Sequence, residues 1–203
     1  MKLGTHNSGT YSNIVWWQKP FKWLSNLTSK CQNLTIQEQL KNNVRIFNFQ
    51  VVYYKNNWYI SHGLFIYNIT LLDILKEIKD YNTDDDIYIQ LILDNNFIIK
   101  NNVEQFKVLI ALITSKYTSE RIKLQYAKIE INDSYLYGGD TKIDLIEYYW
   151  SLGWSKLYAN TILDKLPLPR RWASKYNNRI IPSPNTDYLM LDFIELYDRV
   201  DIK

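Results

Sequence analysis

The chain of 203 residues has a single cysteine, Cys31, so no disulfide can form within it and nothing calls for an oxidising compartment. Glycine and proline are scarce, at 6 and 5, which leaves asparagine and aspartate to make the turns. No apolar run is long enough to span a bilayer. Met1-Lys2-Leu3 passes directly into polar residues, without the basic-then-apolar layout of a secretion signal. The expected location is cytoplasmic or within a virion, with membrane contact at most peripheral. An excess of one charge is missing as well: a net +3 is too weak a field to mark a nucleic-acid partner. Histidine is almost absent, and both copies, His6 and His62, therefore bear scrutiny.

What is present is a globular composition, 46% hydrophobic and 22% charged. The length, with no internal repeat and no linker, favours one domain over residues 1–203. Abundant Asn, Ile, Lys and Tyr suit an A/T-rich coding genome, viral or microbial, and carry no mechanistic weight. Thr35-Ile36-Gln37-Glu38 is a capping box that starts a short helix to about Lys41. Val44 to Val52 reads as a strand, and Lys55-Asn56-Asn57 turns it into a second, Trp58 to Gly63. Thr70 to Tyr81 and Asn102 to Lys116 have helical apolar spacing, and Asp144 to Leu152 also reads as helix. Ile87 to Leu93 is nearly continuous apolar, as for a strand buried on both faces, and Ile122 to Ile131 is a further strand. Trp154 to Pro184 reads as irregular, and Tyr188 to Ile194 closes the chain as a short apolar strand with one acid. Strands alternating with amphipathic helices predict an α/β fold with a parallel sheet.

Polar residues gather where these strands end: His6-Asn7, Asn48-x-Gln50, His62-Gly63, Asp94-Asn95 and Asp192. In a parallel βα barrel such positions converge on one mouth. Two histidines there suit a base and acid pair, because each titrates near neutrality, and a buried Asp192 would fix one ring's tautomer. Singly, each has a plainer reading: a strand histidine as a hydrogen-bonded core group, Asp192 as a strand-end cap.

The order of the segments narrows the choice. Leu3-Gly4-Thr5-His6-Asn7-Ser8-Gly9-Thr10, then Leu34 to Leu40, then Val44-Arg45-Ile46-Phe47, then Ile60-Ser61-His62-Gly63 resemble the X-domain of phosphatidylinositol-specific phospholipase C. The likeness covers residues 3–96 and returns near 187–195, where Leu191-Asp192-Phe193 resembles the family's late barrel-strand acid. The resemblance implies a compact, distorted or incomplete TIM-type barrel that cleaves a phosphodiester by internal attack, in phosphatidylinositol or a related compound. It implies His6 as general base, Asp192 as its orienting acid and His62 as general acid, with small neighbours around His6 leaving room for a phosphate. Asn7, Asn48, Gln50 and Asp94 would hold the phosphate or a calcium ion.

Calcium-dependent relatives carry an acid-x-acid pair on the second strand, and metal-independent ones an Asp-x-Arg. Asn48-Phe49-Gln50 has neither, so a calcium site here would hold one carboxylate, and affinity falls with that count. Trp16, Trp17, Lys19, Phe21, Lys22 and Trp23 mix aromatic wedges with cations, a pattern that suits a lipid headgroup layer or a protein partner. Arg170-Arg171-Trp172 repeats it. Two functions stand at this point: a phospholipase-C-like phosphodiesterase, and a catalytically degenerate barrel reused as a binding or structural component.

Overall fold

The computed structural model describes residues 2–94, 99, 103–128, 136–139, 168–179 and 188–197. Its elements are β1 (Lys2–Thr5), a 3₁₀ turn (Trp16–Phe21), α1 (Lys22–Thr28), α2 (Ile36–Lys41), β2 (Val44–Tyr54), β3 (Asn57–His62), β4 (Phe65–Thr70), α3 (Leu71–Asp80), β5 (Ile87–Leu93), α4 (Val103–Lys116), β6 (Ile122–Lys128), β7 (Leu136–Gly139), α5 (Pro169–Tyr176) and β8 (Tyr188–Leu191). They form one sheet in the order β4-β3-β2-β5-β6-β7, from which β1 branches to pair with β2 and β8.

β2 organises the site. It is 11 residues long, and its β-branched and aromatic side chains suit a pleated, buried surface. One edge pairs in parallel with β5 from Ile46 to Val51. The other edge is shared. β1 takes its lower part in parallel, ending with Thr5 opposite Phe47, and β3 takes its upper part antiparallel, with Val51 opposite Ile60. Carried two residues further, that antiparallel register sets His62 level with Phe49. The carboxyl ends of β1 and β3 therefore approach each other from opposite directions across a gap at Asn48–Phe49.

The sheet is thus mixed. β2, β5 and β6 are parallel, but β2-β3-β4 is an antiparallel meander and β7 returns antiparallel on β6. The turn at Lys55-Asn56-Asn57 forms the expected β2–β3 hairpin, whereas the antiparallel pairings of β4 on β3 and of β7 on β6 lie outside the sequence reading.

The helices cover the apolar face. The Thr35 hydroxyl accepts from the Glu38 amide and the Glu38 carboxylate from the Thr35 amide, so the expected capping box forms. In α3, Leu71, Ile74, Leu75 and Ile78 are buried, each worth roughly 1.5–3 kcal/mol of burial. They join Phe47, Phe49, Ile60, Leu91 and the buried face of α4 in one core.

Four expectations change. In β5 only alternate residues are fully buried, and Tyr88, Gln90 and Ile92 are half-buried. Within the segment read as irregular, Pro169 opens α5 at its first turn, where a missing N–H costs nothing. The last strand stops at Leu191 because Phe193 takes φ 46, a left-handed value that turns the chain. Phe65–Thr70 is a strand that was not expected. The expected helix at Asp144 to Leu152 and the end of the strand past Lys128 lie outside the described residues. Among the described residues no helix is long and apolar enough to cross a membrane.

Candidate active site

The opening segment is held from within. The Ser8 hydroxyl donates to the Thr5 carbonyl at 2.7 Å and accepts from the Asn48 amide at 3.0 Å. Thr10 donates to the Asn7 carbonyl at 2.8 Å and accepts from the Cys31 amide at 2.9 Å. The fully buried Gln39 accepts from the Thr5 hydroxyl and donates to the Ser8 and Leu34 carbonyls. Asn7 stands at φ 46, a conformation that asparagine tolerates better than most residues. The small residues serve packing and not the expected phosphate space at two points. A Cβ on Gly9 would come within 2.7 Å of Ile60, and one on Gly4 within 3.1 Å of Ile46 and Met190.

Strand register makes the first pair. β1 and β8 run in parallel with Thr5 opposite Leu191, so the next residues, His6 and Asp192, emerge side by side. His6 Nδ1 lies 3.0 Å from Asp192 Oδ1, both groups buried. A carboxylate there accepts the Nδ1 proton and leaves Nε2 as the basic nitrogen. Gln32, which the sequence reading did not single out, clips the two strand ends together. Its Nε2 donates to the carbonyls of His6 and Leu191 at 3.1 and 2.8 Å, and its Oε1 accepts from the Ile194 amide. Asn177 Nδ2 adds a bond to the Asp192 carbonyl at 2.9 Å.

His62 faces this pair. The two imidazoles meet edge to face, with centroids 5.7 Å apart. His62 Nδ1 donates to the Ser29 carbonyl at 2.7 Å, which turns Nε2 toward the remaining space. Burial, then the neighbouring His6, pull its pKa down to about 4, against a partial lift from the Ser29 carbonyl and Asp192. The ring is therefore neutral at pH 7. His62 ends the second strand of the hairpin expected at Lys55-Asn56-Asn57, and it reaches His6 because β2 overshoots the site and β3 returns.

Cys31 lies among these groups, fully buried, its Sγ 3.6 Å from His62 Nδ1 and 3.8 Å from Asn7 Nδ2. Burial and the Asp192 charge push its thiol pKa well up. A lone cysteine in a sequence carries no spacing signal, so nothing pointed to it.

The residues expected to hold phosphate or calcium behave differently from one another. Asn48 accepts from the Asn7 amide at 3.4 Å and donates to Gln90 at 3.3 Å, and Gln90 donates to Gln125 at 3.1 Å. Asn48, Gln90 and Gln125 are in register across β2, β5 and β6 and form a ladder of neutral amides. Gln50 is partly buried on β2, two residues beyond. Asp94 is four residues past Gln90, roughly 13 Å along the strand path. Burial raises its pKa, and the Ser61 hydroxyl only partly offsets this. Calcium takes six to eight oxygens and gains from carboxylates. Here the Asn48 oxygen already accepts a backbone amide and the set holds one carboxylate, so it fits calcium poorly.

The aromatic stretch divides. Trp16 and Trp23 are 71% and 66% exposed, and Phe21 and Leu27 are exposed too; Lys19 and Lys22 stand out beside them. Trp17 instead packs inward on Val15, Val52 and Ile66. A cavity of about 540 Å³ between α1 and α5 is lined by Leu27, Arg170 and Arg171. Trp172 is buried against Ala173 and Phe193.

Among curated protein sequences, none matches this chain. Among solved structures, it superposes on a double mutant of the phosphatidylinositol-specific phospholipase C from Staphylococcus aureus with a TM-score of 0.64 at 15% identity, covering 98% of this chain and 87% of that one. A single mutant of the same enzyme gives 0.60 at 15% identity with the same coverage. The phosphatidylinositol-specific phospholipase C from Listeria monocytogenes gives 0.56 at 16% identity, covering 95% of this chain and 87% of that one. At these identities the likeness establishes the fold, a distorted and incomplete TIM-type barrel. The family model described as phosphatidylinositol-specific phospholipase C, X domain, matches residues 22–129. That range is more than half of the chain and contains His62, while His6 and Asp192 lie outside it and reach His62 only through β1 and β8. By that match the chain belongs to the phosphatidylinositol-specific phospholipase C X-domain family.

Proposed function

We propose that this protein is a phospholipase-C-like phosphodiesterase that cleaves phosphatidylinositol, or a related phosphodiester, by attack of a hydroxyl within the substrate. The carrying observation is the His6–Asp192 pair at 3.0 Å facing His62 with centroids 5.7 Å apart. His6 Nε2 takes the proton of the attacking hydroxyl as its oxygen bonds to phosphorus. Asp192 stabilises the imidazolium that results. His62, when protonated, gives a proton to the departing alkoxide as the other P–O bond breaks, leaving a cyclic phosphate and a free alcohol.

The weak element is charge. A pentacoordinate phosphorane gains negative charge, and preorganised donors or cations there usually supply the largest catalytic term. The ladder of Asn48, Gln90 and Gln125 carries none. Asn7 and Gln50 offer amide donors for a phosphate oxygen, each lost donor being worth roughly a hundred- to thousand-fold in rate, so turnover should be slow. The same ladder favours a second reading, a barrel that binds a phosphodiester or a protein partner without turning it over.

Trp16, Phe21, Trp23 and Leu27, exposed beside Lys19 and Lys22, form a surface suited to an anionic headgroup layer, with Arg170 and Arg171 along its flank. Purified protein incubated with phosphatidylinositol vesicles should release cyclic inositol phosphate, with and without chelator. Product no greater than from a His6→Ala/His62→Ala variant would leave the binding reading in its place.

A further inference from the structure

We propose that His6, Cys31 and Asp192 form a binding site for one thiophilic divalent cation, zinc above all, at the centre of the cleft. One ligand atom from each of these residues lies within 4.8 Å of the other two, and all three side chains are buried. A second observation points the same way. Asn7 is fully buried, and its Oδ1 has no hydrogen-bond partner among the described residues. The carboxamide is directed into the same cluster, with Nδ2 3.0 Å from His6 Nε2 and 3.8 Å from Cys31 Sγ. Turned end for end, the amide brings its oxygen to that point, an exchange that costs no change in shape.

The donor set is then one imidazole nitrogen, one thiolate sulfur and two oxygens. Zinc accepts all three donor types in a tetrahedron with bonds of about 2.0–2.3 Å, which sets donors roughly 3.2–3.8 Å apart, a contraction of up to about 1.6 Å from the cluster as it stands. Thiolate and imidazole select zinc over calcium or magnesium, which prefer oxygen alone. Charge balances as well. A dication meets two anions, the Cys31 thiolate and the Asp192 carboxylate, so a buried neutral site results where an isolated ion would be prohibitive. The thiol proton leaves to solvent as the metal binds. His62, partly exposed and 3.6 Å from Cys31 Sγ, flanks the way in. Binding does not depend on the chain being a phosphodiesterase. Its consequence does: a cation on His6 occupies the proposed general base and would shut off proton transfer.

Cobalt(II) is the probe. Titrated into the full chain, it should form a 1:1 complex with a thiolate-to-cobalt charge-transfer absorption that zinc abolishes by displacement. Cys31→Ala should remove the absorption and weaken cobalt binding at least about a hundred-fold, with folding checked by thermal unfolding. Should that variant not fold, Asp192→Asn in the otherwise unchanged chain should weaken binding at least about tenfold while keeping the absorption. No charge-transfer band in the wild type, or equal affinity in a folded Cys31→Ala protein, overturns the site. Either result stands apart from the vesicle assay, because it reads the bound metal and not the release of cyclic phosphate.

Discussion

His6 and His62 meet edge to face, with ring centroids 5.7 Å apart and their planes at 84°. They do so because β1 and β3 share one edge of β2 and end there from opposite directions. Their two Nδ1 partners differ in kind. His6 has a carboxylate, Asp192, and His62 has a neutral carbonyl, that of Ser29. A neutral carbonyl favours a charged ring less than a carboxylate does, so Ser29 offsets only part of the loss that burial and His6 impose on His62.

That asymmetry sets the expected pH profile. With His62 drawn down to about 4 by burial and by His6, the protonated acid is a minor form at neutrality. Because the reaction also needs His6 unprotonated, kcat/KM for a soluble phosphodiester should stay level while one histidine loses its proton after the other, and fall about tenfold per unit once both are neutral, since kcat/KM reports the free enzyme's groups. An alkaline limb unchanged in His62→Gln would remove His62 as the acid.

The same shift bears on stability. His62 binds a proton less readily folded than unfolded, so between about 4 and 6.5 the unfolded chain holds more protons. Stability should therefore rise with pH through that window and be lost as pH falls, by about 3 kcal/mol in all. Urea unfolding at pH 7 and pH 4.5 should show a smaller pH difference in His62→Gln than in the wild type. An equal difference in both proteins would assign the effect to other groups.

Gln32 holds both strand ends of the His6–Asp192 pair. Gln32→Leu removes one donor from two carbonyls and orphans the Ile194 amide, and each buried group left unsatisfied costs roughly 1–3 kcal/mol. Urea unfolding should show a loss of about 2–5 kcal/mol, most of it absent if these groups find water instead.

Gly9 separates packing from ligand space. Gly9→Ala sets a Cβ 2.7 Å from Ile60 Cγ1 and should cost about 1–3 kcal/mol as overpacking, with Ile60→Val in the same chain recovering part of it. Unchanged stability with lost phosphate binding would restore the idea that this glycine leaves room for the substrate.

For the surface, Trp16→Ala/Trp23→Ala should cut sedimentation with anionic vesicles several-fold at unchanged thermal stability, since both rings are exposed. Trp17→Ala should do the reverse, lowering stability by roughly 3 kcal/mol at most for a partly buried ring. Equal sedimentation of the Trp16/Trp23 variant and the wild type would move the contact elsewhere.

By itself the sequence determined the local steps: the Thr35–Glu38 capping box, the helical spacing of α3, the strands at β2 and β5, and the opening His6-Asn7 that carries the family resemblance. These are readable because caps and apolar periodicity act over a few residues. It also brought His6, His62 and Asp192 forward as a set, and these are the residues that meet. Only the tertiary structure decided what surrounds them. Cys31, Gln32 and the Ser29 carbonyl come from the connection between α1 and α2, and they reach the histidines because the ends of β1, β3 and β8 converge there. The amide ladder exists because Asn48, Gln90 and Gln125 fall in register on three strands far apart in the chain. Register between distant strands is fixed by which faces the whole sheet buries, and a one-residue slip would send every one of those side chains to the other face.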